Sequence, residues 1–327
     1  MESFRAFRVF EENGKVEGRL VSATLDELSA GDVVIKTAAS SVNYKDALAA
    51  TGAGKIIRRF PLIAGIDAAG TVASSTDTRF REGEPVLVTG YDLGVAHDGG
   101  YAEFVRAPAD WVVPIPEGLS PHEAMAIGTA GFTAALSLVD MELNGSTPGQ
   151  GPVIVTGATG GVGSIAVQLM AARGYRVTAL TGKDTEHDFL RALGAADVLS
   201  RNGLPMGTKP LEKPLWAGAV DVAGGETLAW LTRTMMYGGC IASSGLTGGT
   251  DLHTTVLPFI LRGVKLLGID SAMCPMPTRL EVWRRIATDL APKQLRTTTT
   301  TIGLDDLPGA FATLLSGAAR GRYVVTV

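Results

Sequence analysis

The sequence predicts an α/β fold in which a doubly wound parallel sheet is inserted into a β-rich domain. Three observations carry the prediction. The first third of the chain consists of short apolar runs separated by polar or glycine-bearing turns. From Val153 onward, strand-like runs alternate with helical segments, which implies parallel strands with helices on both faces. The stretch after Ile269 mixes helix and strand, as a tail returning to the first domain would. The chain has 327 residues, long enough for two domains with sizeable cores.

In order along the chain, Val33-Val34-Ile35-Lys36-Thr37 reads as a strand after the Gly31-Asp32 turn. Ala68–Ala73, Pro85–Thr89, Tyr101–Val105 and Trp111–Val113 continue the β pattern. Ser120-Pro121-His122-Glu123 reads as a helix start: Ser as cap, Pro at the first position, an acid at the third. Val153-Ile154-Val155-Thr156 is a buried strand, and it runs into Gly157-Ala158-Thr159-Gly160-Gly161-Val162-Gly163. Beyond the glycines, Val162, Ile165, Ala166 and Leu169 fall on one helix face. Strands follow at Arg176–Leu180, Asp197–Leu199, Gly218–Val222, Cys240–Ser244 and Lys265–Ile269, with a helix over Thr185–Leu193 closed by Gly194. Six such strands complete a dinucleotide-binding domain. The tail supplies a helix near Leu280–Leu290, a Thr-rich strand at Thr297–Ile302, a helix at Leu307–Leu315 and a strand at Tyr323–Val327. The expected boundaries are 1–124, 125–270 and 271–327.

The composition narrows the function. A hydrophobic share of 46% and a charged share of 19% suit a soluble globular chain. A net charge of −4 offers no basic surface for nucleic acid. No uninterrupted apolar run approaches the roughly 18 residues of a membrane span, and Met1-Glu2-Ser3-Phe4-Arg5 lacks the apolar core of a signal peptide. Cys240 and Cys274 stand far apart and fit a reducing compartment. A cytoplasmic protein is expected.

The glycine turn between strand and helix is the context in which such a motif marks a dinucleotide. Glycines let the backbone approach a pyrophosphate, and the helix N-terminus supplies N–H groups and partial positive charge. Thr159, Gly160, Gly161, Val162 and Gly163 are therefore expected on the cofactor. A 2′-hydroxyl cofactor calls for an acid at the end of the second strand. That strand ends Leu180-Thr181-Gly182-Lys183, and Arg201 follows the third. Hydroxyl and cationic groups attract a 2′-phosphate, so Thr181, Gly182, Lys183 and Arg201 predict NADPH, with Asp184 as a helix cap. Leu246, after the fifth strand, belongs at the carboxyl edge where cofactors bind.

Ser41-Val42-Asn43-Tyr44-Lys45-Asp46-Ala47-Leu48, Thr51–Arg58, Gly65-Ile66-Asp67, Gly128–Ala134 and Met236-Tyr237-Gly238-Gly239-Cys240 resemble the acrylyl-CoA reductases of the medium-chain dehydrogenase/reductase superfamily, the YhdH/YhfP-type quinone oxidoreductases. The resemblance runs on through Pro258–Arg262 to Gly321-Arg322 and covers nearly the whole chain. It implies a Rossmann NADP-binding domain within a GroES-like catalytic domain, and an NADPH-dependent reductase without metal. Zinc-dependent members carry Gly-His-Glu where this chain has Gly65-Ile66-Asp67, and isoleucine cannot ligate zinc. The four histidines, His97, His122, His187 and His253, lack ligand spacing. The loop Tyr91–Gly100 departs from the family, which places tryptophans near Tyr91 and Asp98; an acid there is expected to reshape a nearby pocket.

By resemblance Tyr44 lies near the nicotinamide and substrate with Asn43 beside it, and both are candidate catalytic residues. A phenol can donate a hydrogen bond to an enolate or relay a proton; it can also merely shape a cleft. Thr129, Ile260, Ser271 and Arg322 are carried over as cofactor contacts. Lys55, Arg58 and Arg59 form a cationic cluster suited to the phosphates of a CoA ester. Lys45 and Asp46 read as a local surface pair and helix-turn residues, Asp67 as structural, Cys240 as a buried strand residue.

The function these residues imply is reduction of the C=C bond of acrylyl-CoA to propanoyl-CoA by hydride transfer to the β-carbon. The alternatives are a quinone or enone oxidoreductase, and a non-catalytic NADPH-binding structural or sensor protein. The strand Lys265–Ile269 is expected at a sheet edge that pairs with a second copy, making a homodimer.

Overall fold

The computed structural model describes residues 3–327. In chain order its main elements are β1 (Phe4–Glu12), β2 (Lys15–Ala23), β3 (Val33–Val42), α1 (Tyr44–Thr51), β4 (Leu62–Ile63), β5 (Asp67–Ser75), β6 (Pro85–Thr89), β7 (Phe104–Ala107), β8 (Val113–Pro114) and α2 (Pro121–Leu143). There follow β9 (Val153–Val155), α3 (Gly161–Ala172), β10 (Val177–Thr181), α4 (His187–Ala192), β11 (Asp197–Ser200), β12 (Trp216–Asp221), α5 (Gly225–Thr234), β13 (Met235–Ser243), α6 (Leu257–Arg262) and β14 (Lys265–Gly268). The tail holds α7 (Met276–Ile286), α8 (Leu295–Thr298), β15 (Thr299–Gly303), α9 (Leu307–Leu315) and β16 (Arg322–Thr326). The chain divides into two units. One runs to Thr129 and takes back Ala272–Ala287 and Leu295–Val327; the other holds Ala130–Ser271 and Thr288–Gln294.

The second unit is built on one parallel sheet in the order β11-β10-β9-β12-β13-β14. β9 and β12 are central and buried along their whole length, which is why they read as continuous apolar runs rather than alternating ones. The chain winds outward from β9 and then crosses back to β12. The strand order therefore reverses between these two, and their carboxyl ends open the crevice where ligands of such sheets bind. Trp216 and Trp230 meet edge to face in this unit's core, ring centroids 6.2 Å apart.

In the first unit β15-β16-β3-β5-β6-β8 form a largely antiparallel sheet, with β7 also on β3, and β2-β1-β4 form a smaller one. β16 lies against β3, so the C-terminal strand completes a sheet begun by the first third of the chain. Phe7, Tyr101 and Phe311 pack ring against ring in one cluster beneath α1 and α9. β1 and β2 form a hairpin closed by Asn13-Gly14, both at positive φ (54° and 75°), the left-handed pair a two-residue turn demands.

Two β expectations move. Tyr101 precedes its strand, which starts at Phe104, and Trp111 ends a 3₁₀ turn (Ala109–Trp111) instead of lying in a strand. The cause is packing: Trp111 stacks on Tyr91 at 5.4 Å with rings 6° from parallel, and the Arg279 guanidinium lies 4.5 Å from the centroid of the Tyr91 ring. Arg279 is fully buried and also donates to Thr89 O (2.8 Å) and Oγ1 (2.9 Å).

α2 starts as its sequence signals: Ser120 Oγ and Glu123 Oε2 bond each other's backbone amides at 3.2 and 3.1 Å. By length and composition it could cross a membrane, against the expectation that no such segment exists. However, 89% of its most apolar window is buried inside the protein. Gly128, at φ 53° and ψ −161°, breaks it into two.

Candidate active site

In the second unit the candidate cofactor site is made mostly of backbone. After β9 the chain turns at Gly157 (φ 54°), a conformation that disfavours any side chain. Gly163 lets α3 sit against this turn, since a Cβ there would stand 2.4 Å from Gly157 O. Over Gly160 the space is open: a Cβ would meet only Gly157 O, at 3.4 Å. The amides of Gly161, Val162 and Gly163 open the helix ahead of its own i→i−4 bonds, so this cradle fits a pyrophosphate. Thr159 is buried beneath it. Beside it, at the end of β12, Asp221 accepts from Thr156 Oγ1 (2.8 Å) and Gly224 N (2.9 Å), tying the two central strands at the point where the sheet reverses. Burial pushes the Asp221 carboxyl up, with Thr156 and the Gly224 amide opposing.

At the end of β10 no carboxylate takes the position of a ribose ligand. Thr181 is buried and its Oγ1 accepts the Lys183 amide at 3.0 Å. The Arg201 guanidinium lies over Gly182, 3.0 Å from where a Cβ would stand. Burial draws the Lys183 ammonium below its usual range, with Glu186 opposing. Asp184 starts a 3₁₀ turn that Lys183 precedes, so Lys183 and not Asp184 holds the cap position. The Asp184 carboxyl is lowered by bonds from Ser200 and Asn202, which engage it with the third strand. Leu246 and Ile260 are exposed, and Ser271 accepts from Thr133 Oγ1 at 2.7 Å.

In the first unit, four segments distant in sequence converge: the end of β3, the start of β5, the break in α2 and the start of β16. Asp67 gathers them. Its Oδ2 accepts from Ser41 Oγ, from Asn43 Nδ2 (2.8 Å) and from the Thr129 amide (2.9 Å), and its Oδ1 from Thr129 Oγ1 (2.5 Å). Arg322, also buried, donates to Ala126 O (3.1 Å), Val42 O (3.2 Å) and Asn43 Oδ1 (3.3 Å). Gly128 makes room: a Cβ would stand 2.7 Å from Ser41 Oγ and 2.8 Å from both Arg322 Nη2 and Asp67 Oδ2. Asn43 thus has both ends of its amide engaged, which makes it a brace for the next residue. Tyr44 opens α1 half-exposed, and its phenol has no hydrogen-bond partner among the described residues.

Four expectations are corrected here. Asp46 is not a surface residue: it is 1% exposed and holds two backbone amides. Arg59 is not a free cation, because it bonds Asp98 Oδ2 (3.1 Å), Ala96 O (2.8 Å) and Ser29 Oγ. Asp98 is itself buried. It accepts from the amides of Ile63 (2.9 Å) and Ser29 (3.0 Å), so its charge is absorbed locally rather than shaping a pocket. Of the expected cationic cluster, Arg58 pairs with Asp92 at 3.2 Å and Lys55 stands exposed. Arg322, expected on the cofactor, is turned into the Asp67 network. The spacing Asn43-x-x-Asp46 signals a helix cap and could have revealed Asp46. Nothing local marks Arg322. Among the described residues no group of three or more His, Cys, Asp or Glu side chains is placed to hold a metal ion.

A glycine turn at the reversal point of a six-stranded parallel sheet, set within a β-rich unit completed by the C-terminus, defines a medium-chain dehydrogenase/reductase. Known proteins agree. Residues 29–117 match the alcohol dehydrogenase GroES-like domain and residues 161–288 the zinc-binding dehydrogenase family. The chain is 50% identical to the putative quinone oxidoreductase YhfP of Bacillus subtilis over 98% of each chain. The crystal structure of YhfP with NAD bound superposes with a TM-score of 0.97, covering 100% of each chain at 48% identity. The chain is 47% identical to the acrylyl-CoA reductase AcuI of Ruegeria pomeroyi, over 97% of this chain and 96% of that one. The yhdH oxidoreductase of Salmonella enterica in complex with NADP gives a TM-score of 0.96 at 47% identity over 99% of both chains. This chain belongs to that family of oxidoreductases, the acrylyl-CoA reductases and YhdH/YhfP-type quinone oxidoreductases of the medium-chain superfamily.

Proposed function

We propose that the protein reduces the C=C bond of a short enoyl thioester, acrylyl-CoA to propanoyl-CoA, with NADPH. The observation that carries the reading is Tyr44: a half-exposed phenol without a partner, set on a turn braced by buried charge. The glycine cradle holds the pyrophosphate, and Thr181, Lys183 and Arg201 favour the 2′-phosphate that distinguishes NADPH. When bound, NADPH supplies the hydride that reaches the β-carbon. The Tyr44 phenol donates a hydrogen bond to the thioester oxygen, where negative charge develops, or passes its proton to the α-carbon. Lys55 and Arg58 are exposed cations for a CoA phosphate, Arg58 being paired with Asp92.

The test is NADPH oxidation followed by absorbance with acrylyl-CoA, crotonyl-CoA, simple enones and quinones. Acrylyl-CoA should exceed crotonyl-CoA in kcat/KM, by a factor within the roughly 10–200-fold that one methyl group commands. Efficient quinone turnover with none of any enoyl-CoA would instead favour the quinone reading, as the name of YhfP suggests. Binding of NADPH without turnover of any acceptor would favour a sensor. Tyr44→Phe should lower kcat about 10²–10⁴-fold at nearly unchanged NADPH affinity. With Ile66 where zinc relatives carry histidine, chelators should leave the rate unchanged.

We further propose a cytoplasmic homodimer. β14 is an edge strand and Leu266 on it is 37% exposed, an edge of the kind that accepts a partner strand. A charge at Leu267 would be repeated across a two-fold contact, so Leu267→Asp should give monomers on sizing. A wild-type protein that elutes only as monomer at dilute concentration removes the proposal.

A further inference from the structure

We infer that Asp46 is a positioning residue for Tyr44, and that a carboxyl is required there because both of its oxygens must accept. This rests on the reading of Tyr44 given above. Asp46 Oδ2 accepts the amide of Asn43 at 2.9 Å, and Oδ1 accepts the amide of Ile66 at 2.9 Å. One planar group therefore clamps two chain segments. The first bond closes the turn that starts α1, one residue before Tyr44. The second fixes the Gly65-Ile66-Asp67 segment, whose path is already confined because a Cβ on Gly65 would stand 2.8 Å from Tyr101 N. Asp67 from that segment then holds the Asn43 side chain, while Arg322 holds its other end. Asn43 is gripped at its backbone amide by Asp46 and at its side chain by Asp67 and Arg322, so the direction in which Tyr44 leaves the backbone is fixed. Among the described residues no hydrogen bond joins the phenol to any of these groups, so Asp46 acts on it through the main chain.

Donor and acceptor counting excludes a neutral isostere. Asparagine offers one acceptor and one NH₂, so one of the two backbone amides would face a donor. Burial first, then the neighbouring Asp67, pushes the Asp46 carboxyl up to about 7, with the Asn43 and Ile66 amides opposing.

The experiment is a cycle of Asp46→Asn and Tyr44→Phe in the whole protein, with kcat, KM and NADPH affinity measured on folded samples. Small displacements of a reacting group cost up to about 10²-fold. Asp46→Asn should therefore lower kcat by about 10- to 100-fold with NADPH affinity unchanged. In the Tyr44→Phe background it should lower kcat by less than about twofold further, because both changes remove the same contribution. A kcat equal to wild type in Asp46→Asn overturns the inference, as does an additive loss in the double variant. A merely structural role would lower the melting temperature and spare the kcat of folded protein, and that too overturns it. If Asp46→Asn does not fold, Asp46→Ser, which likewise cannot accept from both amides with two separate oxygens, is read in the same cycle and against the same outcomes. Wild-type kcat in Tyr44→Phe would sink the reading of Tyr44, and this inference with it. An impaired Tyr44→Phe beside an unimpaired Asp46→Asn sinks the inference alone.

Discussion

Two strand-to-helix turns, β9 into α3 in one unit and β3 into α1 in the other, are held in shape by opposite chemistry. Residues 156–163 are fixed by what is missing: Gly157 turns at φ 54°, and Gly163 lets backbone touch backbone. Residues 41–46 are fixed by buried charge, with Asp46 and Asp67 set against Arg322 and joined through Asn43 and Thr129. In the first turn side chains are cleared away from the main chain, and in the second they converge on Asn43, the residue before Tyr44. A backbone site is broken by adding a methyl group and a charge-braced site by removing a charge.

That contrast predicts an order of effects. Arg322→Met leaves the buried acceptors Ala126 O, Val42 O and Asn43 Oδ1 without their donor, and a buried polar group left unsatisfied costs about 1–3 kcal/mol. The urea midpoint should fall accordingly, and an unchanged midpoint would show that the charges do not brace the turn. Lys183→Ala and Arg201→Ala should each weaken NADPH binding by about 1.5–3 kcal/mol while leaving NADH almost untouched, as calorimetry can check. Equal losses for both cofactors would mean that neither cation meets the 2′-phosphate. Gly163→Ala places a methyl 2.4 Å from Gly157 O. Overpacking of this kind costs about 1–3 kcal/mol, here read as weaker cofactor binding. A variant that binds NADPH as well as wild type would end the claim that this turn is made by absence.

The smallest effect is in pH, and it sharpens the comparison within the first unit. The Asp46 carboxyl holds its proton to about 7 in the fold and near the ordinary 3.8 when unfolded. Its contribution is fully present below the unfolded value and is lost as pH rises through the folded one, so stability should decline across that window. Asp98 runs the other way. Burial would raise it, but the Ile63 and Ser29 amides, the Ser29 hydroxyl and Arg59 together hold it below its usual range. Its contribution is present above the unfolded value and lost as pH falls through the folded one. Asp46→Asn should flatten the first slope and Asp98→Asn the second in urea titrations at stepped pH. A single change that flattened both would mean the two centres are not independent.

The same contrast explains what the sequence could tell. The glycine turn, the alternating strands of the second unit and the Ser120–Glu123 helix start were legible because each is written within a few consecutive residues. The Asn13-Gly14 turn was equally local, yet the hairpin of β1 and β2 went unread. Asp46, Asp67 and Arg322 were a different case. Arg322 stands 279 positions from the Asn43 amide it holds, so no window joins them. An aspartate beside a lysine reads as solvated until the fold buries it, and Arg59 reads as a free cation until Asp98 is found next to it. Trp111 looked like a strand residue from its apolar neighbours, yet its place is set by Tyr91 from another loop.

The tryptophans offer an optical handle. The chain has four, and the two units hold two each: Trp111 and Trp283 in one, Trp216 and Trp230 in the other. Trp111 is stacked on Tyr91, while Trp216 and Trp230 face one another. Replacing either pair with phenylalanine leaves a protein whose tryptophan emission comes from one unit alone. The melting of each half, and its response to added nucleotide, then become separately visible in a cuvette.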